Sequence, residues 1–238
     1  MKQVTIADEF FENKPELLNE IHSFERRRKL QLMDKLQKEE DAVNFFSTLA
    51  EIRTGLFFDP LCSALRYNVP LNGKRPDWLL TLTGQNILCE VLRLNTPEEE
   101  NKASMERNRE LARFQQQNPG VPIMEYSGAK VIETEFLCGA QWKLQVKEEK
   151  YRGIITRHKL PYIICVNPSL QTYINKTDLS DFLTGRHGFF ATDDNFGRNI
   201  TGVLLQGYFA GHWSYFPNKR AEYKLTDENE KVMGEWRS

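Results

Sequence analysis

A chain of 238 residues with 40% apolar, 11% aromatic and 27% charged residues has the composition of a globular protein with a substantial core, which excludes a disordered or fibrous chain. Its net charge of −1 argues against non-specific coating of nucleic acid, a mode that draws on a large excess of Lys and Arg, while leaving room for a local basic groove. No window approaches the roughly 18 unbroken apolar residues of a membrane span, and the opening stretch MKQVTIADEFFENKPELL lacks the apolar core of a signal peptide, so a cytoplasmic location without membrane contact is expected.

Residues 1–40 are rich in charge. The run Glu25-Arg26-Arg27-Arg28-Lys29 precedes LQLMDKLQKEED, whose apolar positions Leu30, Leu32, Met33 and Leu36 recur at helical spacing. This predicts an N-terminal helical extension over 1–40, made of one or two peripheral amphipathic helices, ahead of a single α/β domain over 41–238. The basic run reads either as a phosphate contact or as a solvated helix face. From residue 41, DAVNFFSTLAEIRTGLFF spaces Val43, Phe46, Leu49 or Ala50, and Ile52 or Arg53 on successive turns, which predicts a core helix that carries Glu51 and ends near Gly55. A strand at SALRYNV and a turn at Pro70-Leu71-Asn72-Gly73 follow.

Residues 76–94, PDWLLTLTGQNILCEVLRL, are two apolar runs of strand length around Thr83-Gly84-Gln85-Asn86, a β-hairpin signal. Residues 96–118 turn polar and helix-favouring and lead to a hinge at Pro119-Gly120-Val121-Pro122, with a short strand expected in PIMEY or AKVIE. A helix is predicted over 140–153, with Trp142, Val146 and Tyr151 near one face, Lys143, Lys147 and Lys150 on another, and a stop at Gly153. LPYIICVNP reads as a strand buried on both faces. A helix near KTDLSDFLTG, a strand at ITGVLLQ and an unassigned aromatic stretch YFAGHWSYFPN complete the chain.

Several groups carry no legible chemistry. Cys62, Cys89, Cys138 and Cys165 lie far apart inside apolar runs, which points to buried free thiols rather than metal ligands. His158, His187 and His212 are scattered, and neither a nucleophile motif nor a glycine-rich phosphate loop is present. The stretch FLTGRHGFFATDDNFGRN mixes Arg186, His187 and Arg198 with Phe189 and Phe190, so it reads as a loop near substrate or as a plain surface loop.

The hairpin holds the chemistry. A two-residue turn at Thr83-Gly84 puts Asp77 directly opposite Glu90, and a turn one place later leaves them diagonal neighbours on the same face. Two carboxylates side by side among apolar residues repel one another, and burying either costs several kcal/mol unless something compensates. Mg²⁺, commonly held by one or two carboxylates plus water and phosphate oxygens, would compensate. Alternatively, Asp77 caps a strand end in solvent while Glu90 pairs with Arg75 or Arg93.

Pro76-Asp77, twelve residues, then Glu90-Val91-Leu92 resembles the PD-(D/E)XK superfamily of nucleases. An upstream helix with the acid Glu51, a later helix with lysines ending in Lys150-Tyr151, and the apolar strand LPYIICVN recur in that superfamily's order, over roughly residues 42–168. The resemblance implies a restriction-endonuclease-like α/β core with a mixed central sheet flanked by helices. It implies Mg²⁺- or Mn²⁺-dependent hydrolysis of DNA, with metal held by Asp77, Glu90 and the main-chain carbonyl of Val91, and Glu51 joining through water or a second ion. Leu92 occupies the slot of the superfamily's lysine and can neither orient water nor stabilise charge on phosphate. The chain is therefore similar to variants in which that lysine has moved to the helix packed on the sheet. Lys143, Lys147 and Lys150 form an i, i+4, i+7 stripe there, with Lys147 and Lys143 as the candidates. Two-strand cutting would suit a homodimer. The rival reading is a catalytically inactive relative that binds nucleic acid or a protein partner.

Overall fold

A computed structural model describes residues 5–12, 14–94, 133–168, 176–186, 188–191, 197–206 and 213–235. The expected helix over 96–118, the hinge over 119–122 and the short strand in PIMEY or AKVIE lie outside these residues.

The chain opens with three helices, α1 (Ile6–Phe11), α2 (Pro15–Arg28) and α3 (Leu32–Gln37). Thr5 and Asp8 close a capping box on α1, Pro15 supplies a preset first turn for α2, and Lys29 ends it in the left-handed conformation. These helices are more than a periphery. Ile21, Phe24, Leu32 and Leu36 are fully buried in the same apolar cluster as Trp78 and Leu80 of the sheet. The charged run at the end of α2 leaves Arg26 and Lys29 exposed, while Glu25 Oε1 accepts the N–H groups of Leu32 and Met33 at 2.5 and 2.7 Å, capping α3. Arg27 and Arg28 fork onto Asp59 at 2.6 and 2.5 Å and hold its carboxyl below the usual range against the opposing effect of burial.

Helix α4 (Ala42–Phe58) starts on the Asp41 cap and runs beyond Gly55, because Phe57 and Phe58 are still buried against the sheet. At Gly55 there is no room for a side chain, since a Cβ there would meet the Trp78 ring and Phe24. Six described strands follow: β1 (Ala64–Tyr67), β2 (Trp78–Leu82), β3 (Gln85–Leu94), β4 (Tyr162–Pro168), β5 (Gly202–Gln206) and β6 (Trp213–Pro217), in that spatial order. β1, β2 and β3 form an antiparallel meander, β3, β4 and β5 run parallel, and β6 returns antiparallel. The helix α5 (Glu133–His158) makes the crossover from β3 to β4, α6 (Lys176–Thr184) precedes β5, and α7 (Asp227–Glu235) closes the chain.

The result is a mixed α/β fold. Helices α1 to α4 cover one face of the sheet, and α5 with α6 covers the other. No helix among the described residues is long and apolar enough to cross a membrane.

Three expectations change. α5 continues through Gly153 to His158, since Ile154 and Ile155 are buried beyond that glycine, and Lys159 in the left-handed conformation ends it. Val146, expected inward, is 41% exposed, because the inward stripe is Leu144, Glu148, Tyr151 and Ile155. Glu148 is tolerated there by N–H donors from Gly197 and the Asn199 side chain, both at 2.7 Å. Phe189 and Phe190, expected in a loop, are largely buried in the apolar cluster against α6.

Because no atom can yield freely at the α4–sheet contact, Gly55→Ala should lower stability by about 1–3 kcal/mol, read as a lower urea midpoint at unchanged slope. An unchanged midpoint would show that this packing is looser than described.

Candidate active site

The hairpin joining β2 and β3 sets the site. Thr83 and Gly84 both take positive φ, 40° and 81°, the conformation of a two-residue turn that matches strand twist. A β-branched residue rarely adopts it, and the Thr83 hydroxyl is met here by the Asn229 side chain of α7. Asn229, fully buried, also donates to Leu82 O and Gln85 Oε1 at 3.0 and 2.8 Å. The turn fixes the pairs Leu82–Gln85 through Trp78–Cys89, and this register carries Asp77 opposite Glu90.

Beyond the Trp78–Cys89 pair the two strands bond through these side chains. Val91 N–H donates to Asp77 Oδ2 at 2.7 Å, and Asp77 N–H donates to Glu90 Oε2 at 3.3 Å. Glu90 is 1% exposed, whereas Asp77 is half-buried at the mouth of a cleft of about 240 Å³ lined by Ser47, Glu51, Asp77, Val91, Leu92, Arg93 and Lys147. Burial above all, and then the charges of Glu90 and Glu51, push the Asp77 carboxyl up to about 7, against the Val91 N–H and Lys147.

From the opposite side α5 delivers cations. Lys147 Nζ lies 2.6 Å from Glu90 Oε1, and Lys150 Nζ lies 3.1 Å from the same oxygen. Lys143, one turn earlier, has no hydrogen bond or ion pair with either carboxylate among the described residues. Tyr151 beside them donates to Arg75 O at 2.9 Å, and its phenol is pushed up by burial and by Glu90.

Glu51 approaches from α4. Its carboxylate accepts from Lys35 Nζ of α3 at 2.9 Å and from the Tyr67 hydroxyl, while Trp78 Nε1 donates to its main-chain oxygen at 2.9 Å. The pairing of Glu90 with Arg75 or Arg93 does not occur: the Arg93 guanidinium donates to Val43 O at 3.0 Å and lies over the Phe46 ring. Lys35 and Tyr67 were not visible as site residues in the sequence, since neither lies at a local spacing from Glu51 and only tertiary packing brings them in. Lys150 stood in the lysine stripe, but the stripe alone did not rank it above Lys143. Cys62, Cys89 and Cys165 are buried free thiols, and Cys138 lies among side chains outside the described residues.

The donor set suits a hard divalent cation. Asp77 and Glu90 face one another, Val91 lines the cleft, and Asp77 makes no close ion pair among the described residues, with Lys147 acting on it only at longer range. No group of three or more His, Cys, Asp or Glu side chains among the described residues forms a protein-only cage, and Mg²⁺ does not require one, since waters and substrate oxygens complete its shell. Compared with known proteins, the chain matches no family model, no curated protein and no solved structure.

The raised Asp77 carboxyl has a consequence for stability. With a value near 7 in the folded chain against 3.8 as its ordinary value, the folded state binds the extra proton between those limits, so stability falls as pH rises through that window. In chelating buffer Asp77→Asn should therefore be more stable than the wild type above about pH 7, with the difference vanishing near pH 4, as followed by urea midpoints. A difference independent of pH would contradict this.

Proposed function

We propose that the chain is a Mg²⁺- or Mn²⁺-dependent nuclease that hydrolyses phosphodiester bonds of DNA on a restriction-endonuclease-like core. The observation that carries the reading is the 2.6 Å contact between Lys147 Nζ and Glu90 Oε1, which brings a lysine from a helix to the carboxylate whose own strand has Leu92 in the lysine slot. Supporting it is the order of elements, α4, the three-stranded meander, α5 and the parallel strand β4, which is the order the PD-(D/E)XK resemblance calls for.

In this reading Asp77 and Glu90 bind the cation, and Glu51, oriented by Lys35 and Tyr67, supports it from the α4 side. A bound divalent ion supplies Lewis-acid polarisation of the phosphate and a more acidic water. Lys147 is fixed by Glu90 and offers its remaining N–H groups to the attacking water or a phosphate oxygen. Leu92 forms an apolar wall that limits stray water. The half-buried Asp77 at the cleft mouth is where the substrate would arrive.

Incubation of linear and supercoiled DNA with Mg²⁺ or Mn²⁺ should give cleavage, with Asp77→Ala abolishing both cleavage and cation binding. Lys147→Ala should lower cleavage by roughly 10²–10³-fold, the usual cost of losing one well-placed charge-stabilising donor, while the cation still binds. Metal-dependent DNA binding without cleavage by the wild type would instead favour the inactive, nucleic-acid-binding reading, to which Leu92 in the lysine slot also points.

A further inference from the structure

Two lysines on one carboxylate oxygen are one more than the proposed reaction uses. Glu90 Oε1 accepts both Lys147 and Lys150, at 2.6 and 3.1 Å, and Glu90 Oε2 accepts the Asp77 N–H at 3.3 Å. Around the cleft, Lys35 is paired with Glu51, Lys147 and Lys150 are both paired with Glu90, and Asp77 makes no ion pair among the described residues. A divalent cation that reaches Glu90 therefore meets two ammonium groups at its ligand. Lys147 and Lys150, three residues apart on one helix, also repel each other.

The two lysines are not equivalent. Lys147 makes the shorter contact, lines the cleft and is 24% exposed, whereas the Lys150 side chain is 40% exposed. Lys150 Nζ also lies 4.7 Å from the centre of the Tyr151 ring, an alternative seat that needs no carboxylate. Of the two ammonium groups, that of Lys150 is held less closely.

We infer that Lys150 is a built-in competitor of the divalent cation for Glu90, which weakens cation binding to the free protein and is freed for a phosphate oxygen when the cation binds. The inference rests on the proposed metal site and assigns its regulation. It makes the site slow to hold metal until metal and nucleic acid arrive together, because the released ammonium then has a new anionic partner.

Mn²⁺ binding to the full chain, followed by the electron paramagnetic resonance of free Mn²⁺ without DNA, separates the possibilities. Lys150→Met and Lys150→Gln should each bind Mn²⁺ on the order of tenfold more tightly than the wild type, as expected when one positive charge beside the ligand is removed. Lys150→Arg, which keeps the charge, should bind like the wild type. Equal or weaker binding by both neutral variants, with Asp77-dependent binding in the wild type, would overturn the competitor role alone. Absence of Asp77-dependent Mn²⁺ binding in the wild type and in both neutral variants would overturn the metal site and the competitor role together.

Discussion

A carboxylate sealed from water, as that of Glu90 is, costs several kcal/mol unless donors and cations meet it. Here the compensation comes from two places at once: the facing strand, through the Asp77 N–H, and the crossover helix, through Lys147 and Lys150. The meeting of these three elements at one oxygen pair ties the hairpin to α5. It also sets the two acids apart, Glu90 buried and saturated with donors, and Asp77, which lines the cleft, under-compensated.

That meeting depends on register. A slip of one residue in the hairpin would turn Glu90 to the α4 face, away from the lysines. The register is held at the far end of the hairpin, where the positive φ of Thr83 is maintained by Asn229 from the last helix, more than 140 residues away in sequence. The C-terminal helix thus supports the site without touching it. The N-terminal helices act more directly, since α3 brings Lys35 to Glu51 and α2 packs Phe24 beside Trp78, whose indole holds the Glu51 main chain.

The hairpin and its facing acids were legible because both rest on local rules, turn chemistry and period-two alternation. The strands β4 and β5 were legible as compact apolar runs. β6 and α7 were not: the aromatic WSYFP lacks alternation, and DENEKVMGE is short and nearly all polar. The lysine stripe was legible as a pattern, but which lysine reaches Glu90 depends on how α5 is rotated about its axis. That rotation buries Glu148 alongside Leu144, Tyr151 and Ile155, and a reading of apolar periodicity assigns a charged residue such as Glu148 to solvent. Lys35 could not be read at all, because its partner Glu51 is separated from it by a turn between helices and meets it through packing.

The most direct measurement is the anomalous scattering of Mn²⁺ in crystals of the wild-type protein. The account predicts one strong peak between the Asp77 and Glu90 carboxylates, with Lys147 still against Glu90 and Lys150 turned away. A peak elsewhere, or none at saturating Mn²⁺, would contradict it.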